Sequence, residues 1–417
     1  MTTRTVTAFI VGLISLNMFA QTSSVHDKDV YAGHFQSYRI PEAIALQPIP
    51  KGFKPFYISH FSRHGSRYHS SEKYYKNSYT FLKKAYDAGV LTPLGEQMYN
   101  DVKLAMTDAH GKWGDLTPRG HREHKGIAQR MYQSYPQVFK TDRKHSGNVS
   151  SVSTTVVRCV LSMSAFNEGL KECNPNLNMT RVSSDSNKYY MFERTEGHAQ
   201  YKEAKMVTDS LKREWLPTER FFTSIIKDPE YINSQLKKPE LMMYEIYTVA
   251  SIMQDVDYLG VSMWHYFTED ELEQLWRCEN AFSYLTMGPS ERIGSKVLND
   301  AKPMLRDILQ KAEGVIDGSR DIAADLRFGH DCTLIPLMSL IEVQGATGMF
   351  PVDEIDKHWR ITDVSSMAGN FQMIFFKNKK GDIKVRFLLN EREAKLPLAG
   401  HPFYDWEDVK SFFEKKI

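Results

Sequence analysis

The chain has 417 residues and little of what marks several specialised classes of protein. Its formal net charge is only +2, which argues against a nucleic-acid-binding protein, because such domains carry a strong excess of Lys and Arg. It has only four cysteines and no C-x-x-C pair, which disfavours a zinc ribbon and a thioredoxin-type site. The sequence leaves open the disulfide state of these residues, Cys159, Cys173, Cys278 and Cys332.

Long apolar runs are also scarce, and the main one lies near the N-terminus. Arg4 precedes the run AFIVGLISLNMFA, and Ala20 is a suitable cleavage point, so residues 1–20 are interpreted as a signal peptide. The mature protein is therefore expected to be exported, to the periplasm or by full secretion, and to have no membrane association. A short N-terminal membrane anchor is the alternative, although the run is short for a membrane span.

What is present is an ordinary globular composition, with 41% hydrophobic and 25% charged residues. The segments FKPFYISHFSRHG, NVSSVSTTVVRC and IAADLRFGHD predict strands, and FQMIFFKNKKGDIKVRFLLN predicts a β-hairpin with NKKGD as its turn. LTPLG and LTPRG each place Thr before Pro, the pattern of a helix N-cap followed by the first helical residue. The alternation of strands and helices predicts a layered α/β fold.

The middle of the chain has a different character. Residues 166–300 are rich in Lys, Glu, Tyr and Met, and stretches such as AQYKEAKMVTDSLKREW have helical spacing. We therefore predict an α/β core formed by residues 21–165 and 301–417. The core is expected to be interrupted by an α-helical cap formed by residues 166–300.

Residues suited to binding one phosphoryl group follow three of the predicted strands. In open α/β sheets, ligands bind outside the carboxyl ends of the strands, so side chains that follow several strands are expected to meet there. The stretch HFSRHGSRYHS, residues 60–70, contains the first group. The three groups are Arg63, His64, Gly65 and Arg67, then Arg158, then His330 and Asp331.

This set suits the hydrolysis of a phosphate ester. Guanidinium groups present planar donors that match phosphate oxygens, so Arg63, Arg67 and Arg158 would bind the phosphoryl group and stabilise its transition state. Nearby positive charge favours the neutral form of His64, which can then act as a nucleophile and form a phosphohistidine. Asp331 would protonate the leaving oxygen and then activate water. Because the arginines supply the charge, neither a metal nor a cofactor is expected.

The motif RHGSR, with a later Arg and a later His-Asp pair, resembles the acid phosphatase and phytase branch of the histidine phosphatase superfamily. The resemblance covers roughly residues 50–395 and implies a mixed sheet flanked by helices, the core fold of phosphoglycerate mutase, with an inserted helical cap. It also implies site roles: nucleophile for His64, proton donor for Asp331, and phosphate binding for Arg63, Arg67, Arg158 and His330.

Within that branch, SRHGSRY and LTPRGHREHKGIAQRM are similar to multiple inositol polyphosphate phosphatases. Those enzymes typically carry His-Ala-Glu at the proton-donor position, where this chain has His330-Asp331-Cys332, as in the His-Asp acid phosphatases and phytases. The family also often has Pro where this chain has His69. Both differences bear on the substrate and not on phosphomonoester hydrolysis, because an Asp can donate a proton as a Glu does.

A substrate with several phosphates needs cationic contacts beyond the first site. The candidates for such contacts are His69, Lys188, Arg194, Lys202 and Lys205, although lysines on helices are more often solvated. His121 and His124 have a spacing that could place both on one helix face, but they lack the His-Glu-x-x-His pattern of zinc proteases. We expect them on a solvated helix face.

Three functions remain open at this point. The first is an exported, metal-independent phosphomonoesterase that acts on inositol polyphosphates such as phytate. The second keeps this chemistry with a different small phosphate ester, as a broad acid phosphatase or sugar-phosphatase. The third is a non-catalytic phosphate-ligand binding protein on the same fold, for which neither a nucleophile nor a proton donor would be needed. The oligomeric state is left open.

Overall fold

The computed structural model describes residues 28–41, 46–191, 198–291 and 294–417. The predicted signal peptide, residues 1–20, lies outside these described residues. None of the helices in those ranges combines the length and the hydrophobicity that a membrane span requires. All four cysteines lie in the described part of the chain and are thiols there.

The core is a mixed sheet of eight strands in the order β3-β2-β4-β1-β5-β6-β7, with β8 paired to β6. The four strands from β3 to β1 are parallel, and β5 to β8 join them by antiparallel pairing. The strands are β1 (Lys54–Arg63), β2 (Asn148–Ser153), β3 (Asn178–Ser183), β4 (Ala324–Gly329), β5 (Asn370–Lys377), β6 (Ile383–Leu389), β7 (Arg392–Glu393) and β8 (Tyr404–Asp405).

Fourteen α-helices and several short 3₁₀ segments are seen in the described part of the chain. The helices are α1 (Lys73–Asp87), α2 (Pro93–Ala109), α3 (Pro118–Ser134), α4 (Val157–Cys173), α5 (His198–Trp215), α6 (Thr218–Ile225), α7 (Pro229–Gln235), α8 (Pro239–Ile252), α9 (Glu269–Met287), α10 (Gly294–Ile316), α11 (Asp331–Leu340), α12 (Ile355–His358), α13 (Ile361–Ser365) and α14 (Trp406–Glu414). Two 3₁₀ segments matter below, Lys28–Phe35 and Met253–Leu259.

Helices cover both faces of the sheet, because successive side chains of a strand point to opposite faces. In β1, Tyr57 and Phe61 pack with α10, α11 and α14, whereas Ile58 packs on the other side with α3 and α4. Ile127 and Met131 of α3 are fully buried in that second layer, together with Tyr135 just after the helix. The predicted fold, a mixed sheet flanked by helices, is thus confirmed.

Two local predictions are also confirmed. The hairpin consists of β5 and β6, which pair in antiparallel register around a turn in which Gly381 has a φ of 95°. Thr92 and Thr117 are N-caps whose hydroxyls accept from the backbone N–H of Gly95 and Gly120, at 3.1 and 3.3 Å. In each case the Pro that follows is the first residue of the helix.

The expected cap boundary at residue 165 does not coincide with a break in the structure. It falls inside α4, and β3 is part of the sheet, because α4 is the crossover that parallel pairing of β2 with β3 requires. The helical layer also contains helices from the N-terminal part of the chain. Its hydrophobic core joins α1 and α2 with α6, α8 and α9, so the cap is not one continuous insert.

Candidate active site

The pairing of β1 with β4 brings two of the predicted groups together. The two strands are parallel neighbours, and Arg63, the last residue of β1, lies opposite Gly329, the last residue of β4. The backbone N–H of His64 donates to the Gly329 carbonyl at 2.9 Å, which continues the pairing by one residue. His330 and Asp331 follow directly, so both groups lie at the carboxyl edge of the sheet, as their positions after strands predict.

The segment from His64 to Arg67, which we call the phosphate loop, is pressed against the start of α3. A Cβ on Gly65 would lie 2.7 Å from the Gly120 carbonyl oxygen, and a Cβ on Gly120 would lie 2.4 Å from the Ser66 carbonyl oxygen. Both contacts are too short for any side chain, so this approach needs two glycines. The Gly of LTPRG thus has a packing role against the phosphate loop.

His64 is held in one tautomer by its own loop. Its Nδ1 donates to the Gly65 carbonyl at 3.0 Å, so in the neutral ring Nε2 carries the lone pair. Burial, followed by the positive charges of Arg158 and Arg63, lowers the pKa of His64 well below its usual value. The imidazole is therefore neutral at physiological pH, and an unprotonated nitrogen is what a histidine nucleophile requires.

Arg63 is a fully buried cation that joins several parts of the site. Its Nη1 donates to the carbonyls of His34 at 2.7 Å and Ser365 at 2.8 Å. Its Nη2 forms an ion pair with Asp331 Oδ2 at 3.0 Å. The guanidinium is thus fixed in position before any ligand is bound.

Arg67 lies at the other end of the phosphate loop. Its Nη1 donates to the Tyr68 carbonyl at 2.9 Å, and its guanidinium lies 5.4 Å from the centre of the Phe35 ring. Burial, with the positive charges of Arg158 and Arg63, lowers the pKa of Arg67 to about 10. Three guanidiniums are therefore close enough to repel one another, which favours binding of an anion between them.

Arg158 was expected at the end of a strand, and this placement is wrong. β2 ends at Ser153, and Arg158 lies in the first turn of α4. The β-branched run Val156-Val157 favours a strand by propensity, but the chain must turn there to begin the crossover helix. Arg158 nevertheless reaches the site, since its charge lowers the pKa values of His64 and His330 more than any other charge does.

His330 is the N-cap residue of α11, and its ring lies 5.6 Å from that of His64 between centroids. Its Nε2 lies 3.3 Å from Thr154 Oγ1 and 3.6 Å from Cys159 Sγ. Burial and the charge of Arg158 lower the pKa of His330 to about 3. The ring is therefore neutral and can offer one N–H to a bound anion.

Asp331 is the first residue of α11 and accepts from the Cys332 backbone N–H at 2.8 Å. Burial raises the pKa of Asp331, but the positive charges of Arg63 and His34 outweigh this effect and hold it below its usual range. In the ligand-free protein the carboxyl is thus ionised, whereas a proton donor must be protonated. A bound phosphate would offset the charge of Arg63 and raise the pKa of Asp331.

A cavity of about 550 Å³ opens beside the phosphate loop, between the core and the helical layer. Arg67 lies in its wall. The helices add cations and anions in comparable number, namely Lys73, Lys205, Lys212, Asp209, Glu245 and Glu279. The cavity is large enough for a small sugar or cyclitol and carries charges of both signs.

His34 is part of the site although no sequence pattern marked it. Its ring lines the cavity, its Nδ1 contacts the Glu279 carboxylate, and its carbonyl accepts from Arg63. It comes from the 3₁₀ segment Lys28–Phe35, which has no motif and no strand context. Only the fold brings it to the sheet edge.

The five residues predicted to contact substrate lie in different places relative to the cavity. Lys205 lines the cavity, where it is paired with Asp209. Lys188 is paired with Asp185 at 2.8 Å. Among the described residues that line the cavity, neither Lys188 nor Lys202 is found. Arg194 lies outside the described residues.

His69 is in the cavity wall but is fully buried. Its Nε2 donates to the Thr248 carbonyl at 2.8 Å, and its ring stacks on Tyr74 at 4.9 Å. Burial lowers the pKa of His69 to about 3. The residue therefore supports the wall as a neutral ring, and direct contact with substrate would need the wall to open.

The expectation of a solvated face for His121 and His124 is wrong for one of the two. His121 is exposed, but His124 is fully buried beneath Phe328, and burial lowers its pKa to about 3. Its helix position faces the sheet, which spacing alone could not decide. Among the residues that the structure describes, no group of three or more His, Cys, Asp or Glu is placed to hold a metal ion.

Comparison with solved structures identifies the fold. A multiple inositol polyphosphate phosphatase from Bifidobacterium longum, in complex with inositol hexasulfate, superimposes with a TM-score of 0.75 at 19% identity, over 91% of this chain and 97% of that one. The phytase from D. castellii gives a TM-score of 0.71 at 15% identity, over 93% of this chain and 85% of that one. The expected fold is thus confirmed.

Sequence comparison gives relatives and a family. Multiple inositol polyphosphate phosphatase 1 from Gallus gallus is 21% identical over 322 residues, 72% of this chain and 68% of that protein. The protein of the same name from Homo sapiens is 22% identical over 358 residues, 75% of this chain and 69% of that protein. The family model of the histidine phosphatase superfamily, branch 2, matches residues 59–390. The predicted enzyme class, a phosphatase, is confirmed at this level, and the chain belongs to the histidine phosphatase superfamily (branch 2).

Proposed function

We propose that the protein is an exported, metal-independent phosphomonoesterase that works through a phosphohistidine on His64 and hydrolyses inositol polyphosphates. The observation that carries this proposal is the state of His64. Its Nδ1 donates to the Gly65 carbonyl, so the unprotonated Nε2 is available in a ring of arginine side chains. A protein that only bound phosphate would have no use for that arrangement.

The arginines and His330 would bind the phosphoryl group. Arg63 is fixed by two carbonyls, and Arg67 and Arg158 bring further positive charge to the same place. Planar guanidiniums match the non-bridging oxygens and stabilise the charge that these oxygens carry in the transition state. His330, neutral in the free protein, would add an N–H donor.

Hydrolysis would proceed in two steps. In the first, His64 Nε2 attacks phosphorus, the ester P–O bond breaks, and Asp331 gives its proton to the leaving oxygen. In the second, Asp331 takes a proton from water, the water oxygen attacks phosphorus, and the N–P bond breaks to return His64 and release phosphate. Asp331 needs a proton for the first step, which the bound phosphate favours by offsetting Arg63.

The cavity supports a substrate larger than a simple monoester. Its volume of about 550 Å³ leaves room for a ring beside the phosphate loop, and Lys73, Lys205 and Lys212 could meet further phosphates. The relatives named as inositol polyphosphate phosphatases favour the same substrate class.

A second candidate, a broad acid phosphatase or sugar-phosphatase, is favoured by the charges of the cavity. Lys205 and Lys212 are both paired with Asp209, and Glu245 and Glu279 add negative charge to the wall. Carboxylates there would repel a highly phosphorylated ring. A substrate with one or two phosphates would meet this wall at lower cost.

The test is release of inorganic phosphate by the purified mature protein in the presence of a chelator. Phytate and glucose 1-phosphate are compared side by side, for the wild type and for His64→Ala. Preference for phytate, with loss of all release in the variant, is the expected result. Preference for glucose 1-phosphate would favour the second candidate, and near-normal turnover by His64→Ala would rule out the mechanism.

Export is proposed from residues 1–20 alone. The run of apolar residues after Arg4 and the cleavage point at Ala20 support it. N-terminal sequencing of the protein recovered from outside the cytoplasm should begin after residue 20. Recovery of the intact N-terminus from the membrane fraction would instead favour an anchor.

A further inference from the structure

Four buried side chains lie in series behind the phosphate loop. Ser37 Oγ is 2.6 Å from Asp255 Oδ1 and 3.0 Å from Ser66 Oγ, and Ser66 Oγ is 2.7 Å from Glu123 Oε1. None of the four residues is more than 9% exposed. We call this series the carboxyl–serine chain. It joins the helical layer, the N-terminal segment, the phosphate loop and α3.

The carboxyl–serine chain has one hydrogen fewer than its geometry needs. It contains three oxygen–oxygen contacts at hydrogen-bond distance, but its two serine hydroxyls supply only two hydrogens. If both carboxyls are ionised, each hydroxyl donates to its own carboxylate, and the contact between Ser37 and Ser66 has no hydrogen. One additional proton on a carboxyl allows all three contacts to be hydrogen bonds.

The partners of the two carboxyls decide which one carries the proton. Besides the Ser66 hydroxyl, Glu123 accepts from the backbone N–H of Ser66 at 2.8 Å and of Tyr38 at 2.9 Å. Three donors favour an ionised carboxylate. Besides Ser37, Asp255 meets the Ser66 hydroxyl, whose hydrogen is already donated to Glu123, and the backbone N–H of Arg67 at 3.4 Å, a long contact. The additional proton therefore belongs on Asp255.

We propose that Asp255 is a positioning residue, which in its protonated form donates to Ser37 and so holds Ser66 and the phosphate loop in the geometry that binds phosphate. The protonated carboxyl donates to Ser37 Oγ, Ser37 donates to Ser66 Oγ, and Ser66 donates to Glu123. Loss of the proton breaks the central hydrogen bond and places two negative charges behind the loop. The proposal rests on the proposed function in one respect, namely that the phosphate loop binds a tetrahedral anion.

The charges around Asp255 set the pH range of this effect. The charged and titratable groups that face it are Glu123 and Arg119 of α3, Arg67 of the phosphate loop and Tyr75 of α1. Burial, followed by the negative charge of Glu123, raises the pKa of Asp255 to about 7. The proton is thus lost as pH rises through the neutral range, and anion binding weakens over the same interval.

The test compares Asp255→Asn with the wild type, using sulfate as the probe because its charge does not change between pH 5.5 and 8.5. The amide of the variant donates to Ser37 as the protonated carboxyl does, but it cannot lose a proton. We expect equal sulfate affinities at pH 5.5 and about five- to tenfold tighter binding by the variant at pH 8.5. Other titrating groups are present in both proteins, so their effects on sulfate affinity cancel in the ratio of the two affinities.

Asp257→Asn is the matched control, since Asp257 lies in the same 3₁₀ segment but is exposed, where it pairs with Arg122 and, at the longer distance of 3.9 Å, with Arg119. Its affinity ratio to the wild type should not change with pH. An infrared spectrum at pH 6 should show the C=O stretch of a protonated carboxylic acid in the wild type and its loss in Asp255→Asn. Equal affinity ratios at both pH values, or absence of that band in the wild type, would overturn the proposal.

Ser37→Ala gives an independent result if Asp255→Asn folds poorly. It interrupts the carboxyl–serine chain without changing either carboxyl, so sulfate binding should be weaker than in the wild type already at pH 5.5. Its dependence on pH in the neutral range should be smaller than in the wild type, because only the charge of Asp255 still changes. Wild-type affinity and pH dependence in this variant would count against the proposal. Because sulfate binding needs no turnover, a protein inactive on all phosphate esters would still give an answer.

Discussion

Arg63 and Asp331 form an ion pair at 3.0 Å in the ligand-free site. One is the buried cation proposed to bind phosphate, and the other is the proposed proton donor. A phosphate that binds to Arg63 therefore does two things, since it takes over the partner of Asp331 and removes the reason for its low pKa. Substrate binding itself would thus prepare the carboxyl to donate.

Replacing Arg63 should move the alkaline side of the pH profile of activity. Without its positive charge the pKa of Asp331 rises, because burial then acts with less opposition. For Arg63→Gln we expect the alkaline limb of kcat/KM, which reports loss of the Asp331 proton, to move to higher pH, together with a higher KM. Arg63→Lys keeps the charge and loses the planar fork, so it should raise KM with a smaller shift of the limb. An unchanged limb in Arg63→Gln would contradict the account.

The loss of kcat/KM on removal of the proton donor should increase with the basicity of the leaving group. Asp331→Asn cannot protonate the leaving oxygen, so release from an alkyl ester such as glucose 1-phosphate should fall about 10²- to 10⁴-fold. p-Nitrophenyl phosphate has a stable leaving group and should be affected much less in its first step. The measurement is kcat/KM for both substrates, and an equal loss on the two would contradict proton donation by Asp331.

The contact between Gly65 and Gly120 can be tested with a matched pair on one helix. In Gly120→Ala the new Cβ would lie 2.4 Å from the Ser66 carbonyl, so we expect a loss of stability of about 1–3 kcal/mol and reduced activity. In Gly126→Ala the Cβ meets only the end of the flexible Arg130 side chain at 3.0 Å. That variant should be neutral or more stable by up to about 1 kcal/mol. Urea unfolding and kcat/KM check both.

Asp255 should also affect folding in a pH-dependent way. Its pKa is about 7 in the folded protein and about 3.9 in an unfolded chain, so the folded state binds more protons between these values. The stabilisation is complete below about pH 4 and is lost as pH rises to about 7. Relative to Asp255→Asn, the wild type should therefore lose about 1–3 kcal/mol of unfolding free energy between pH 5 and pH 8. A constant difference would contradict the raised pKa.

The sequence predicted the parts of the site that are tied to a strand end. His64 and Asp331 could be paired in advance, because parallel strands end at one edge of the sheet. His64 directly follows β1, and Asp331 is the second residue after β4. Arg158 was linked to the right cluster but to the wrong element, since its β-branched neighbours have a strand propensity that the crossover to β3 overrides.

Other parts of the site have no local signal. His34 and Asp255 lie in short 3₁₀ segments. Asp255 meets the phosphate loop at the backbone N–H of Arg67, 188 residues away in sequence, and the His34 carbonyl accepts from Arg63. His124 belongs to an amphipathic helix whose orientation depends on the sheet beneath it. The sequence also carries no signal for which helices form the cap, because the packing of α1 on α8 and of α2 on α6 is a property of the assembled core.

The proposed phosphohistidine on His64 is tested most directly by trapping the phosphorylated protein. Asp331→Asn is mixed with p-nitrophenyl phosphate and quenched in base, which preserves phosphohistidine, and the peptide that contains residues 60–70 is analysed by mass spectrometry. One added phosphoryl group is expected on His64, and it should be absent in the double variant that also carries His64→Ala. Release of nitrophenol with His64 unmodified, or with the phosphoryl group on another residue, would contradict it.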